Sequence, residues 1–121
     1  MKTIQTLANL ISNDVKMAND EERMKMHVAA VFVNNFTNHL YKIAEDFCLK
    51  EKLEFHLLLP LILETAHKVT CNSPASIQTG PAQRRDMNTI DTHLKLLEAY
   101  PAWKAIYLNL TESILKETQS Q

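Results

Sequence analysis

Apolar residues recur at intervals of three and four positions along most of the chain, the spacing that one face of an α-helix produces. No window alternates apolar and polar residues with the period of two that a half-buried strand requires. The pattern predicts an all-α fold, with about five helices around one long central helix. We expect the chain to form a single helical domain over residues 1–121.

Residues at the ends of the periodic segments indicate where each helix begins. Asn19 and Asp20 interrupt the first segment and are suited to cap the second. Proline is tolerated in the first turn of a helix, so Pro60 and Pro101 predict the starts of the third and fifth helices. Asn88 is expected to cap the fourth. The expected helices span residues 3–16, 21–50, 60–70, 88–99 and 101–116, followed by a polar tail that frays.

The second predicted helix is apolar on nearly every side over residues 24–36. A helix that is apolar all round is covered all round in the folded protein. In so small a domain, part of that cover has to come from a partner chain. The segment therefore predicts a homodimer.

Glycine is almost absent, with Gly80 the one glycine among 121 residues. Dinucleotide-binding turns and phosphate-binding loops need several glycines, because the backbone must approach the phosphates without a Cβ in the way. The chain is therefore expected to bind no nucleotide cofactor on its own.

Charge and cysteine content narrow the remaining classes of protein. The formal net charge is −1, and no basic patch of the kind that binds nucleic acid is present. The longest apolar run, over residues 57–63, is too short to span a membrane. Cys48 and Cys71 have neither metal-ligand spacing nor the density of a disulfide-rich secreted protein. We expect both cysteines to be reduced, buried thiols in a cytoplasmic protein. We expect no metal, and no nucleic acid or membrane as partner.

A narrow polar stripe crosses the apolar background of the long helix. It consists of His27, Asn34, Asn38, Tyr41 and Glu45. Asparagine is a poor helix former and costs free energy when it is buried without a partner. Two interpretations stay open: Asn34 and Asn38 form the wall of a binding site, or they belong to a polar seam that neighbouring helices satisfy.

The third helix places Glu64, His67, Lys68 and Cys71 on one face. Glu64 and Lys68 have the spacing and order of an exposed ion pair, although either side chain could instead act on a substrate. His67 has no second histidine four residues away, and no sequence signature places a base beside Cys71.

The segment over residues 72–86 is the longest connection in the chain. Connections of this length in a compact helical domain are commonly functional or have packed structure of their own. Thr79 offers polar atoms, and Pro81 stiffens the chain after Gly80. Arg84 could clamp a carboxylate or phosphate, or pair with Asp86.

Four motifs, in order along the chain, resemble a known family. They are residues 34–40 (NNFTNHL), 64–69 (ETAHKV), 78–86 (QTGPAQRRD) and 90–94 (IDTHL). The chain resembles, from about residue 20 onward, the C-terminal helical domain of Rossmann-type proteins assigned as NADP oxidoreductases. That family is similar to deazaflavin-dependent NADP oxidoreductases and pyrroline-5-carboxylate reductases.

The resemblance implies a fold like the C-terminal domain of 6-phosphogluconate dehydrogenase, homodimerisation through the helices, and a substrate cleft beside a separate cofactor domain. The family motifs fall on Asn34, Asn38, Glu64, Lys68, Thr79, Gly80, Pro81, Arg84 and Asp86. The whole protein is expected to use NADP. Because the Rossmann half is absent here, we expect this chain to be inactive by itself, as an excised piece or a short gene product. The competing hypothesis is a freestanding helical interaction module without catalysis.

Overall fold

The computed structural model describes residues 19–119, and this part of the chain is all-α, with no strand. The helix predicted over residues 3–16 lies outside the described residues. The helices are α1 (Asp20–Ala30), α2 (Thr37–Lys50), α3 (Leu59–Cys71), the short α4 (Pro74–Ile77), α5 (Met87–Leu96) and α6 (Pro101–Gln119). A π-helical turn over Val31–Phe36 joins α1 to α2, and a 3-10 turn over Phe55–Leu58 precedes α3. The chain divides into two compact units, Met1–Phe55 and His56–Gln121.

The long helix predicted over residues 21–50 is confirmed as a continuous helical stretch from Asp20 to Lys50. Asn19 caps it as expected, because its side-chain oxygen accepts the backbone N–H of Glu22 at 2.9 Å. The π-helical turn in the middle was not predicted. Its extra residue disturbs the regular backbone bonding, and the hydroxyl of Thr37 donates to the carbonyl of Phe32 at 3.0 Å.

The long helix ends in a Schellman arrangement without glycine. The N–H of Leu53 donates to the carbonyl of Cys48 at 2.8 Å, and that of Lys52 donates to Leu49 at 3.4 Å. Lys52 takes the left-handed conformation, with a φ of 58°. Glycine is the usual residue here because it has no Cβ to clash, so Lys52 holds a strained backbone.

In the second unit, α3 begins one residue before Pro60 and ends at Cys71, close to the predicted bounds. The cap of α5 is Asp86 and not Asn88, so that prediction was wrong. Asp86 accepts both the N–H of Thr89 at 3.1 Å and its hydroxyl at 2.7 Å. The threonine gives the aspartate a second bond, and the helix therefore begins at Met87. Helix α6 begins at Pro101 as predicted and continues to Gln119, further than the expected fraying point.

Few side chains are buried within residues 19–119. They are Ala30, Cys48, Ala82, Ile90 and Thr111. Cys48 is buried as expected, but Cys71 is exposed, so the expectation of burial was wrong for that thiol. Large apolar side chains are exposed instead in both units, including Phe32 at 62% and Leu63 at 70% of their accessible surface. The described residues thus keep much of their apolar surface in contact with water.

Candidate functional site

A groove in the second unit brings several of the predicted site residues together. It lies between α3 and the segment that begins with α4, and its volume is about 270 Å³. We call it the α3 groove. Its lining consists of Leu61, Glu64, Thr65, Lys68, Val69, Pro74, Ile77, Gln78 and Thr79. The apolar members come from both walls, and the polar members are distributed among them.

One wall of the α3 groove carries an ion pair. The Nζ atom of Lys68 lies 2.9 Å from the carboxylate of Glu64, and each side chain is about half exposed. The hydrogen bond from Lys68, followed by the attraction of its charge, holds the pKa of Glu64 below its usual value. The exposed ion pair predicted from the spacing is therefore present, and it faces a groove.

The other wall of the α3 groove is short and locally bonded. Proline at the start of α4 fixes the backbone angle of its first turn, and the hydroxyl of Ser76 donates to the carbonyl of Ser73 at 2.8 Å. The side-chain amide of Gln78 donates to the carbonyl of Thr79 at 3.1 Å. These local bonds hold Gln78 and Thr79 at the rim.

The predicted residues Gly80 and Pro81 lie in the turn that follows Thr79. Gly80 has a φ of 104°, which side chains with a Cβ rarely adopt. Its carbonyl accepts the N–H of Arg84 at 3.2 Å, and that of Pro81 accepts the N–H of Asp86 at 2.8 Å. Gly80 therefore reverses the chain into a closed turn that leads from the groove to α5.

Arg84 and Asp86 form the end of this turn. A guanidinium nitrogen of Arg84 lies 3.8 Å from the carboxylate of Asp86, so of the two roles predicted for Arg84 the structure shows the pairing. The pKa of Asp86 is lowered, first by the hydrogen bonds from Thr89 and then by the positive charge of Arg84. Asp86 acts as a helix cap in this position.

Asn34 and Asn38 lie in the first unit, in the π-helical turn and in α2 respectively. Asn34 is half-buried and Asn38 is exposed. The backbone carbonyl of Asn34 accepts the N–H of Thr37. The structure thus brings Glu64, Lys68 and Thr79 into one groove, places Gly80, Pro81, Arg84 and Asp86 in the adjoining turn, and leaves both asparagines on the long helix.

Sequence reasoning missed the polar contacts that Arg85 and His93 make to α6. The guanidinium of Arg85 donates to the hydroxyl of Thr118 at 3.0 Å and to the carbonyl of Leu115 at 3.4 Å. His93 Nδ1 lies 2.7 Å from the hydroxyl of Tyr107, and burial raises the pKa of that tyrosine. The spacing of residues within one helix does not predict these contacts, because each joins two residues that are far apart in the sequence.

Residues 19–119 contain neither a metal-binding cluster nor a membrane-spanning helix. No three His, Cys, Asp or Glu side chains in this range are grouped so that they could hold a metal ion. Across the same range, no helix is both long enough and apolar enough to cross a membrane.

Comparisons with known proteins identify relatives of the chain. A family model described as a domain of unknown function, DUF2520, matches residues 1–114. Among solved structures, the chain is similar to the crystal structure of "putative NADP oxidoreductase BF3122 from Bacteroides fragilis", with 46% sequence identity and a TM-score of 0.78. The alignment covers 82% of this chain and 38% of that one. No curated protein matches. The resemblance inferred from the four motifs is thereby confirmed.

Proposed function

The chain belongs to the DUF2520 family, and we propose that it is the helical dimerisation and substrate-shaping domain of an NAD(P)-dependent oxidoreductase. The observation that carries this proposal is the 46% identity with a protein described as an NADP oxidoreductase. That identity extends over 82% of this chain but only 38% of the relative, so the activity of the relative belongs to a longer protein.

The dimerisation role is supported by one row of exposed side chains on the long helix. The row consists of Met24, Val28, Phe32, Phe36 and Leu40, which are between 40% and 63% exposed. We call it the apolar row. The rings of Phe32 and Phe36 meet edge to face, with centroids 5.3 Å apart. The two phenylalanines are therefore neighbours on one face of the helix.

The π-helical turn reduces the drift of the apolar row around the helix axis. In an α-helix a step of four residues overshoots the turn of 3.6, so such a row drifts around the axis. In a π-helical turn, with its longer hydrogen-bonded loop, the same step falls short of a full turn. The step from Phe32 to Phe36 falls within the turn over Val31–Phe36, so it offsets part of the drift that the α-helical steps on either side produce.

The apolar row is large enough to need a cover. Five side chains that each expose on the order of 100 Å² give about 500 Å², near the upper end of what monomeric proteins leave in water. Two copies paired through this row would bury roughly 1,000 Å², which is what a specific interface requires. A second copy of the chain is the proposed cover, because most soluble oligomers pair identical surfaces around a two-fold axis.

The substrate-shaping role is assigned to the α3 groove and the turn beside it. Three of the family motif positions, Glu64, Lys68 and Thr79, line the groove. A concave site with apolar walls and a few polar groups is the usual form of a small-molecule site. In the whole oxidoreductase, this groove would face the substrate while a separate domain holds the nicotinamide.

Titration of the chain with NADPH in a calorimeter tests whether this chain binds the cofactor by itself. We expect no saturable heat, because hydride-transfer cofactors need a glycine-rich scaffold and the sequence has only Gly80. An NADPH-dependent dehydrogenase titrated in the same buffer serves as the positive control. Saturable binding to this chain would contradict the proposal that the cofactor domain is elsewhere.

The alternative function is a freestanding homodimeric interaction module without catalysis. The apolar row supports this alternative as well, because dimerisation through the row requires neither a cofactor nor catalysis. The reading frame of the gene distinguishes the two proposed functions. A glycine-rich Rossmann sequence joined in frame to these helices favours the oxidoreductase. A reading frame limited to these helices favours the interaction module.

A further inference from the structure

We propose that the α3 groove binds a small zwitterion, a molecule that carries an ammonium and a carboxylate group beside an apolar body. The inference rests on the proposed substrate-shaping role of the groove and names the chemical class of its ligand. Three features carry it: the paired charges on one wall, the apolar side chains around them, and the size of the groove.

The charges that line this groove can be compared with the ion pairs on other helices. Ion pairs with the same four-residue spacing occur at Glu21 with Lys25 and at Lys42 with Asp46. Neither of these pairs lines the α3 groove, whereas both Glu64 and Lys68 do. The Glu64–Lys68 pair is thus the one that a molecule in the groove would meet.

The two side chains carry opposite charges, and this determines which kind of ligand they can bind together. A simple anion would meet Lys68 but also the carboxylate of Glu64 at 2.9 Å from it, and a simple cation would meet the reverse. A zwitterion offers a carboxylate to Lys68 and an ammonium to Glu64, so each side chain exchanges its present partner for a ligand group of opposite charge. An exposed ion pair contributes little stability, so the ligand separates it at small cost.

The remaining lining fits the rest of such a molecule. Leu61, Val69, Pro74 and Ile77 provide apolar contacts beside the charges. The volume of about 270 Å³ lies just below the range usual for drug-sized ligands. The ligand is therefore a small amphoteric molecule with an aliphatic body, and L-leucine is a suitable probe.

A heteronuclear NMR titration of the 121-residue chain tests the inference. L-Leucine is compared with 4-methylpentanoate, which lacks the ammonium, and with 3-methylbutylamine, which lacks the carboxylate. We expect saturable shifts of groove amides with a dissociation constant of about 1–10 mM for leucine, and binding at least about 10-fold weaker for each analogue.

Four variants complete the test. Glu64→Gln and Lys68→Gln remove one charge each from half-exposed positions, and we expect each to weaken leucine binding about 10-fold. Glu21→Gln and Lys25→Gln make the same change in the matched pair on α1 and should leave binding unchanged. The spectrum of each variant reports whether its fold is intact.

Three results would overturn the inference: no saturable shift with leucine, equal binding of either analogue, or unchanged binding in both groove variants. Failure here is distinguishable from failure of the proposed function. The oligomeric state and NADPH binding are measured without leucine, so a dimer that does not bind leucine removes the zwitterion alone.

Discussion

Arg85 and Thr118 are joined by a hydrogen bond of 3.0 Å between a guanidinium nitrogen and a hydroxyl oxygen, across 33 positions of sequence. The same nitrogen lies 3.4 Å from the carbonyl of Leu115, in the last turns of α6. Cations are favoured at the carbonyl end of a helix, where the helix dipole is negative. Arg85 therefore fastens the turn after Gly80 to the end of α6.

Replacing Arg85 by alanine should destabilise the end of α6. We expect a loss of about 1 kcal/mol in unfolding free energy and faster amide exchange over residues 115–118, because Leu115 and Thr118 lose a charged donor. Arg84→Ala is the matched control, since that side chain is 62% exposed and its ion pair is long. Equal effects of the two substitutions on exchange would contradict this role.

Most helices could be predicted from sequence because their signals are local. Asn19 caps the long helix by bonding a residue three positions away, and Pro60 and Pro101 act within their own turns. The cap of α5 was placed wrongly because Asp86 and Asn88 are both good caps, and the choice is decided by the hydroxyl of Thr89. The π-helical turn was missed because a period of 3.6 residues assumes a regular α-helix. Such a pattern does not show where an extra residue is inserted into one turn.

The candidate site was predictable only in part. The spacing of Glu64 and Lys68 gave their ion pair, which depends on one helix. The groove beside it depends on how the chain returns after α3, and that path is determined by α4 and its packing. The contact from Arg85 to α6 joins distant positions, so no window of sequence could contain it.

The charge of Asp86 should make the stability of the chain depend on pH. Hydrogen bonds from Thr89 lower the pKa of Asp86 in the folded chain, so its stabilising effect is present at neutral pH and is lost as the pH falls through that lowered pKa. Asp86→Ala should therefore lower the melting temperature at pH 7, and the difference from the unsubstituted chain should shrink at about pH 3.

Thermal melts followed by circular dichroism at the two pH values measure this effect. Asp91→Ala is the control, because Asp91 is exposed on the same helix and does not cap it. A difference for Asp86→Ala that stays constant between the two pH values would show that the carboxylate charge contributes nothing to the cap.

Two backbone positions should respond in opposite directions to the loss or gain of a Cβ. Gly80→Ala should cost about 1–3 kcal/mol, because alanine rarely adopts a φ of 104°, although nothing lies within 4 Å of the added atom. Lys52→Gly should stabilise the chain by up to about 1 kcal/mol, because it relieves a φ of 58° at the end of the long helix. Chemical denaturation measures both, with Gln83→Ala as a control in the Gly80 turn. Stabilisation by Gly80→Ala would be inconsistent with the backbone described for that turn.

Sedimentation velocity tests the dimer formed through the apolar row most directly. At tens of micromolar we expect the chain to sediment as a dimer, and Phe32→Glu or Phe36→Glu to convert it to a monomer by placing a charge in the row. Leu49→Glu changes a side chain that is 78% exposed on the same helix but outside the row, and it should remain dimeric. A monomer at these concentrations for the unsubstituted chain, or a dimer that both phenylalanine variants retain, would contradict the account.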